Sequence, residues 1–116
     1  MKKFLAMALV LSSSLVSINA MAGGNIAAGK ALVEKQNCAS CHGVDFKTPT
    51  DPSYPKLAGQ HVDYLEHALI SYKRGTAANG RVNGVMDAQV KPLSGKDIKD
   101  IAAYLHSLPG TLVVRR

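Results

Sequence analysis

The sequence predicts an all-α domain in which the helices are joined by long, ordered loops. Two segments, residues 60–74 and 94–108, place apolar residues three and four positions apart, which is the spacing of amphipathic helices. No segment shows the convincing alternation of apolar and polar residues that marks a half-buried strand. Two further stretches, residues 43–59 and 75–92, are rich in proline, glycine or asparagine and have little periodicity. The first of them is too long for a plain connector, so we expect it to wrap around something.

The first 22 residues are expected to be a secretory signal peptide. Met1-Lys2-Lys3 is basic, and the largely apolar run from Phe4 to Ile18 is shorter than the ~20 residues that a membrane-spanning helix needs. Ala20 and Ala22 suit a cleavage site; we place the cut after Ala22, with a cut after Ala20 as the alternative. The sequence therefore predicts an exported protein without a permanent membrane anchor, in which residues 23–116 form a single domain.

The charge of the chain is basic but modest. Lysine and arginine number 14 against 8 acidic residues, a net charge of +6, which falls to +4 when Lys2 and Lys3 leave with the signal. The basic residues are scattered and only 5% of the residues are aromatic. The basic stripe and stacking platform of a nucleic-acid-binding domain are therefore missing from the sequence. This balance favours acidic partners or anionic surfaces.

The first two predicted helices have clear end signals. Asn25 suits an N-cap for a short helix that runs to about Lys35. The middle helix is predicted over Gln60–Arg74, and Gly75 stops it. A domain of this size commonly needs a disulfide, metal or cofactor to supplement its small core.

The last predicted helix begins after Ser94. Asp97 stands three residues further on, which makes a near capping box, and Pro109-Gly110 ends the helix. Its apolar face consists of Ile98, Ile101, Ala102, Leu105 and Leu108.

Cys38-Ala39-Ser40-Cys41-His42 contains both cysteines of the chain and directly follows the first predicted helix. Two cysteines three positions apart, followed at once by histidine, form the attachment motif of c-type haem. Each thiol adds across a vinyl group of the macrocycle to make a thioether, and the adjacent imidazole can then reach the iron. The sequence therefore predicts one covalently attached haem c.

Other functions of a Cys-x-x-Cys pair fit this sequence less well. A zinc site needs two more ligands, and the sequence has no second cysteine or histidine pair at metal-ligand spacing. A thioredoxin-like redox pair requires alternating strands and helices around it. A structural disulfide between Cys38 and Cys41 would close a very small loop and stabilise little.

Met86 is the predicted second axial ligand of the iron. It is the only methionine left after a cut at Ala22, and it lies in the predicted loop over residues 75–92. The alternative is a methionine that fills a gap in the packing. Three rival ligands are more typical of solvated positions on polar helix faces: His61, His67 and His106.

These features give nearly the whole mature chain a resemblance to the bacterial class I cytochromes c. Three further segments carry the resemblance: Tyr54-Pro55-Lys56-Leu57-Ala58-Gly59-Gln60, the loop with Met86, and Leu93-Ser94 through Asp97-Ile98 to Ala103-Tyr104-Leu105. The chain is most similar to small monohaem periplasmic cytochromes, or to one haem half of the dihaem ones. The resemblance implies three main helices and long loops wrapped around one covalently bound haem.

The resemblance also implies roles for individual residues. It assigns the thioethers and the axial ligands to four residues: Cys38, Cys41, His42 and Met86. A proline carbonyl in the first loop accepts the N–H of the proximal imidazole; Pro52 fits best by spacing, with Pro55 next. Gly29 is expected where the first helix crosses the last, close to Tyr104.

The function implied by the resemblance is one-electron transfer in the periplasm, without enzymatic activity. The expected partners are redox proteins with acidic docking faces, for example a cytochrome bc complex, a terminal oxidase or a periplasmic reductase or dehydrogenase. One alternative is a haem-based binder or sensor of small ligands, in which Met86 is absent from the iron or easily displaced. The other is a fixed haem subunit of a larger redox complex.

Overall fold

The fold was analysed in a computed structural model, which describes residues 23–111. Within that range five helices form, and they are, in chain order, α1 (Ile26–Lys35), α2 (Ala39–His42), α3 (Val62–Arg74), α4 (Gly84–Val90) and α5 (Gly95–Ser107). All regular structure of residues 23–111 is helical, which confirms the predicted all-α class. The predicted signal peptide lies outside the described residues.

The three long helices begin and end close to their predicted positions. The side chain of Asn25 accepts a hydrogen bond of 2.9 Å from the N–H of Ala28, so it caps α1 as expected. Helix α3 starts at Val62, two residues after the predicted start, and ends at Gly75, whose φ of +57° suits glycine. No helix within residues 23–111 has the length and apolar character needed to cross a membrane.

A full capping box starts α5. The Ser94 hydroxyl accepts from the N–H of Asp97 at 3.1 Å, and the Asp97 carboxylate accepts from the N–H of Ser94 at 2.9 Å. These bonds lower the pKa of Asp97, with the Ser94 backbone bond as the largest cause. The predicted near capping box is thus confirmed as a reciprocal pair.

The first and last helices cross closely at Gly29. A Cβ atom added there would collide with the carbonyl of Asp100 and lie 2.8 Å from the Cβ of Tyr104. Glycine therefore permits a separation between α1 and α5 that any side chain would prevent. This confirms the expected crossing.

The buried carboxylate of Asp100 fastens the same two helices together. Its side chain accepts from the N–H of Asn25 at 2.7 Å and from the ammonium of Lys96 at 2.6 Å, while Asp100 is only 2% exposed. The Lys96 bond first, and then the Asn25 bond, hold the pKa of Asp100 below its ordinary value. The carboxylate consequently stays ionised at neutral pH and keeps both partners.

The core lies where α1, α3, α4 and the loop over residues 43–59 meet α5. It consists of Val33, Phe46, Ala58, Leu65, Val90, Leu93, Ile98, Ile101, Ala102 and Leu105. Phe46 comes from the loop, and its ring meets Tyr104 edge to face with 6.3 Å between centroids. The loop is therefore packed into the core. A loop held in this way can keep the side chains next to it in fixed positions.

Candidate functional site

The motif Cys38-Ala39-Ser40-Cys41-His42 folds as a helical turn. Helix α2 spans Ala39–His42, and the N–H of His42 bonds to the carbonyl of Cys38 at 3.1 Å. Residues three and four positions apart share one face of a helix, so Cys38, Cys41 and His42 face the same side. Gly43, with φ of +86°, ends the turn. The spacing of the motif is thus the spacing of one helical face.

The imidazole of His42 is buried and oriented by the backbone. His42 is 7% exposed, and its Nδ1 lies 2.9 Å from the carbonyl oxygen of Pro55. A carbonyl only accepts, so Nδ1 carries the proton and the lone pair of Nε2 is left for a metal ion. The ring also lies 6.3 Å from the ring of Tyr54.

The prediction that Pro52 supplies this carbonyl is wrong, and Pro55, the second choice, takes the position. The N–H of Tyr54 bonds to the carbonyl of Asp51 at 3.1 Å, which closes a turn with Pro52 at its first corner. The Asp51 side chain holds the same turn by accepting from the N–H of Ser53 at 2.8 Å. Pro52 therefore occupies the corner of this turn. The carbonyl that reaches His42 is that of Pro55, three residues further along the chain.

Two sets of hydrogen bonds fold the loop over residues 43–59 back on its own start, next to the motif. Asp45 accepts from the N–H groups of Lys47 and Thr48, which lowers its pKa, with the Lys47 bond as the largest cause. The carbonyl of Phe46 accepts from the N–H groups of Leu57 and Ala58 at 2.8 and 2.9 Å. The second set of bonds brings the residues that follow Pro55 alongside Phe46, four residues after His42.

Met86 lies on a short helix, so the prediction of a continuous loop over residues 75–92 is wrong in its second half. Helix α4 spans Gly84–Val90, and Asn83 caps it by accepting from the N–H groups of Val85 and Met86. The sequence did contain a signal for this helix. Asn83 is a suitable cap, and the apolar or long side chains that follow it recur at the spacing of one helix face.

A cleft brings the predicted residues together. We call it the first cleft; it is lined by Gln36, Asn37, Cys38, Ser40, Cys41, His42, Leu57, Leu69, Val85, Met86, Gln89, Val90, Leu93, Ile101 and Leu105. Both cysteines, His42 and Met86 are among these residues, and most of the others are apolar. The structure therefore brings together, from two separate segments, the four residues that the sequence identified.

A second cleft shares His42 and Met86 with the first and has a more polar lining. It reaches the loop around Tyr54, the apolar face of α3 and the segment before α4. Tyr64, Tyr72 and Arg81 line it, and the guanidinium carbon of Arg81 lies 5.6 Å from the centre of the Tyr72 ring. The hydroxyls of Tyr64 and then Tyr72 raise the pKa of Arg81.

These three residues are not among the functional residues predicted from the sequence. Tyr64 and Tyr72 are eight positions apart on α3 and so share a face, which is a signal that periodicity offers. Arg81 gave no such signal, because it reaches the cleft only through the fold of the segment before α4.

The three histidines considered as alternative iron ligands lie outside both clefts. His61, His67 and His106 are all exposed, and none of them lines either cleft. His106 places its Nδ1 2.8 Å from the carbonyl of Gln60, and His61 occupies the N-cap position of α3.

The residues of the two clefts fit a covalently attached haem. Both thiols are free, and burial raises the pKa of the Cys38 thiol, so that it is neutral and stands against an apolar wall. The apolar first cleft suits the faces of a macrocycle, and Arg81 with its tyrosines suits carboxylates. Nε2 of His42 and the sulfur of Met86 could supply one nitrogen and one sulfur donor, a set that suits a haem iron.

Comparisons with known proteins agree with this site. A family model described as cytochrome c matches residues 26–109. The chain is 40% identical over 99 residues to cytochrome c4 of Stutzerimonas stutzeri, covering 80% of this chain and 45% of that protein. It is 38% identical over 84 residues to cytochrome c-554(548) of Halomonas halodenitrificans, covering 72% of this chain and 96% of that protein.

Two further proteins are informative. The crystal structure of reduced recombinant cytochrome c4 from Pseudomonas stutzeri is similar with a TM-score of 0.66 and 38% identity, covering 77% of this chain and 48% of that chain. The cytochrome subunit of sulfide dehydrogenase of Chlorobaculum tepidum is 35% identical over 72 residues, covering 62% of this chain and 60% of that protein. The chain spans about half the length of its cytochrome c4 relatives and nearly all of cytochrome c-554(548).

Proposed function

We propose that this chain, which belongs to the cytochrome c family, is a one-electron carrier of the bacterial periplasm. A cytochrome c domain holds a covalent c-type haem, and Cys38-Ala39-Ser40-Cys41-His42 is the attachment motif for it. One observation carries the proposal: His42 and Met86, from separate segments, line the same cleft as both cysteines. If each of them supplied a ligand, the haem iron would have no open position for a substrate.

The proposed roles of the four residues follow from their chemistry. The thiols of Cys38 and Cys41 would hold the haem as thioethers, each by adding its S–H across one vinyl group. Nε2 of His42 and the sulfur of Met86 would bind the iron. Pro55, in place of the predicted Pro52, holds the His42 ring in the tautomer that ligation requires.

The haem, when bound, supplies an iron that takes up and releases one electron. The chain determines how easily this happens. The thioether sulfur of Met86 favours the ferrous state relative to a second histidine, and the hydrogen bond from His42 to Pro55 makes the imidazole a stronger donor. The apolar walls of the first cleft exclude water, and the packed loop keeps His42 in place during exchange.

The proposed location and partners rest on charge and on the predicted signal. Residues 1–22 would direct export, and the mature chain would carry a net charge of +4 before haem attachment. Transient electron-transfer contacts are small and are steered by charge, so we propose partners with acidic docking faces. Reaction rates with such a partner should fall as ionic strength rises, because salt screens the attraction. Rates that are independent of salt would argue against an acidic docking face.

A second candidate is a fixed haem subunit of a larger redox complex. The similarity to a cytochrome subunit of sulfide dehydrogenase favours it. Size-exclusion chromatography of periplasmic extract separates the two: a free carrier elutes at the mass of one small domain, and a subunit elutes with its complex.

The first experiment is the absorption spectrum of the periplasmically expressed holo-protein, oxidised and reduced. The wild type should show the reduced c-type bands and, when oxidised, the far-red band of sulfur bound to iron. Met86→Ala should lose the far-red band while the haem stays attached. His67→Gln, at an exposed position outside both clefts, is the matched control and should keep it.

The possible spectra of the wild type and of Met86→Ala distinguish between the candidate functions. A band retained in Met86→Ala would refute Met86 as a ligand. A wild type without the band, but with covalent haem, would leave an open or differently filled position, and it would favour a binder or sensor of small ligands.

A further inference from the structure

We propose that Asn83 and Asp87 form a positioning device for Met86, which controls how readily the sulfur leaves the iron; this inference rests on the proposed role of Met86 as a ligand. Asn83 Oδ1 accepts from the N–H of Val85 at 3.1 Å and from the N–H of Met86 itself at 3.0 Å. The carboxylate of Asp87 accepts from the N–H of Asn83, with distances of 3.3 and 3.2 Å to its two oxygens. We call this reciprocal set of bonds the Asn83–Asp87 clasp.

The clasp acts on the ligand residue directly. Met86 donates its own backbone N–H to Asn83, so its Cα is one covalent bond from an atom that the clasp holds. Asp87, the next residue, closes the clasp from the other side. Val85 and Asp87, which flank Met86 along the helix, are therefore both hydrogen-bonded to Asn83.

Helix α4 depends on this clasp more than a longer helix would. It has seven residues, and isolated helices of that length do not persist in water, because nucleation costs more than one or two turns return. Its C-terminal half is secured by Val90, which is 1% exposed in the core. Its first turn, which carries Met86, has the cap as its local support.

The chain before the clasp offers little further restraint. From residue 76 to residue 85 every residue except Gly80 is exposed. The segment touches α3 through the N–H of Arg81, which bonds to the carbonyl of Ser71 at 2.9 Å, and through the Arg81 side chain over Tyr72. Those contacts lie five residues before Met86, so they fix only the approach of the chain. The position of Met86 itself then depends on the clasp and on the packing of its side chain against the core.

An equilibrium between bound and released sulfur makes the proposal measurable. An external ligand can occupy the iron only in molecules in which Met86 has left it, so its apparent affinity is scaled by the fraction of released protein. Weakening the clasp should raise that fraction. Imidazole is a suitable probe, because it competes for ferric iron and its binding removes the far-red sulfur band.

The experiment is an imidazole titration of the oxidised holo-protein. Asn83→Ala should lower the dissociation constant for imidazole about five-fold, the change that corresponds to loss of a typical N-cap. Asn83→Ser, which keeps a good cap, should restore most of the wild-type value. Asp87→Asn leaves Asn83 in place and weakens only the reciprocal bond, so a smaller shift in the same direction is expected; it also serves if Asn83→Ala fails to fold.

The matched control is Ser94→Ala. Ser94 caps α5 through a reciprocal pair of bonds with Asp97, at a site that lines neither cleft. This variant should lower the denaturant midpoint as much as Asn83→Ala does and leave the imidazole dissociation constant within about two-fold of wild type. A general loss of stability would move both variants alike.

Each outcome has a definite meaning. If the wild type shows the far-red band and both Asn83→Ala and Asp87→Asn bind imidazole as the wild type does, the clasp has no positioning role, while Met86 remains a ligand. If Ser94→Ala shifts the affinity as much as Asn83→Ala, the effect belongs to overall stability and the proposal is wrong. If the wild type has no far-red band, the ligand assignment fails and the clasp proposal fails with it.

Discussion

The most direct test of the packing between α1 and α5 is the substitution Gly29→Ala at their crossing. The added methyl group would lie 2.6 Å from the carbonyl carbon of Asp100 and 2.8 Å from the Cβ of Tyr104. Carbon atoms in contact normally stand about 3.5–4.0 Å apart, so the helices would have to separate by roughly 1 Å. Neither neighbour can rotate away, because one is backbone and the other is a Cβ.

Two effects of opposite sign set the magnitude. Replacing glycine by alanine inside a helix stabilises it by about 1 kcal/mol, while overpacking costs about 1–3 kcal/mol. We place the cost at the upper end, since the collision involves atoms that cannot rotate. The expected result is a net loss of about 2 kcal/mol in the free energy of unfolding, or roughly 8–16 °C in Tm for a domain of this size.

The assay is denaturant unfolding of the holo-protein, followed by far-ultraviolet circular dichroism. Gly95→Ala, at the first residue of α5, is the control, because a Cβ there meets no atom within 4 Å. It should stay within about 1 kcal/mol of wild type. The reasoning about the crossing is refuted if Gly29→Ala proves as stable as Gly95→Ala.

Two further predictions concern the same region. The pKa of Asp100 is lowered by Lys96 and by the N–H of Asn25, so its contribution to stability is present above the unfolded value of about 3.9 and is lost as the pH falls through the lower folded value. The advantage of the wild type over Asp100→Asn should therefore be constant from pH 7 to about 5 and shrink below pH 4; unfolding midpoints measured across this range check it, and a constant gap down to pH 2 would contradict it. Phe46→Ala removes a ring that is 4% exposed and packed on Tyr104, and it should cost about 3–5 kcal/mol in urea unfolding; a loss below 1 kcal/mol would mean that the loop is not part of the core.

The long helices could be predicted because their signals are local. Asn25 and Ser94 each act on an N–H group three residues away, and the apolar spacing of α5 is visible in the sequence without knowledge of the fold. The haem-attachment motif is local in the same sense, because Cys38, Cys41 and His42 share one face of a single helical turn.

The errors arose where distant parts of the chain decide the structure. Pro52 fitted by spacing, but the turn closed by Asp51 and the bonds to the carbonyl of Phe46 determine which proline carbonyl reaches His42. Helix α4 was missed because seven residues after a glycine-rich segment give a weak periodic signal. Asn83 could be recognised as a cap from the sequence, but the packing of Val90 in the core, which also stabilises this short helix, becomes visible only in the folded chain.

The bond between Asn25 and Asp100 has a consequence for the order in which the domain can form. The two residues are separated by 75 positions, and the helices they join are the first and the last of the described chain. A chain that emerges from its N-terminus cannot make this contact until nearly all of the domain has been delivered, and such distant contacts are slow to form. Cys38 and Cys41 emerge more than 50 residues before α5, whose Ile101 and Leu105 later line the wall of their cleft. The thiols are therefore presented on an unfinished, accessible chain, and the last helix completes the cleft around them afterwards.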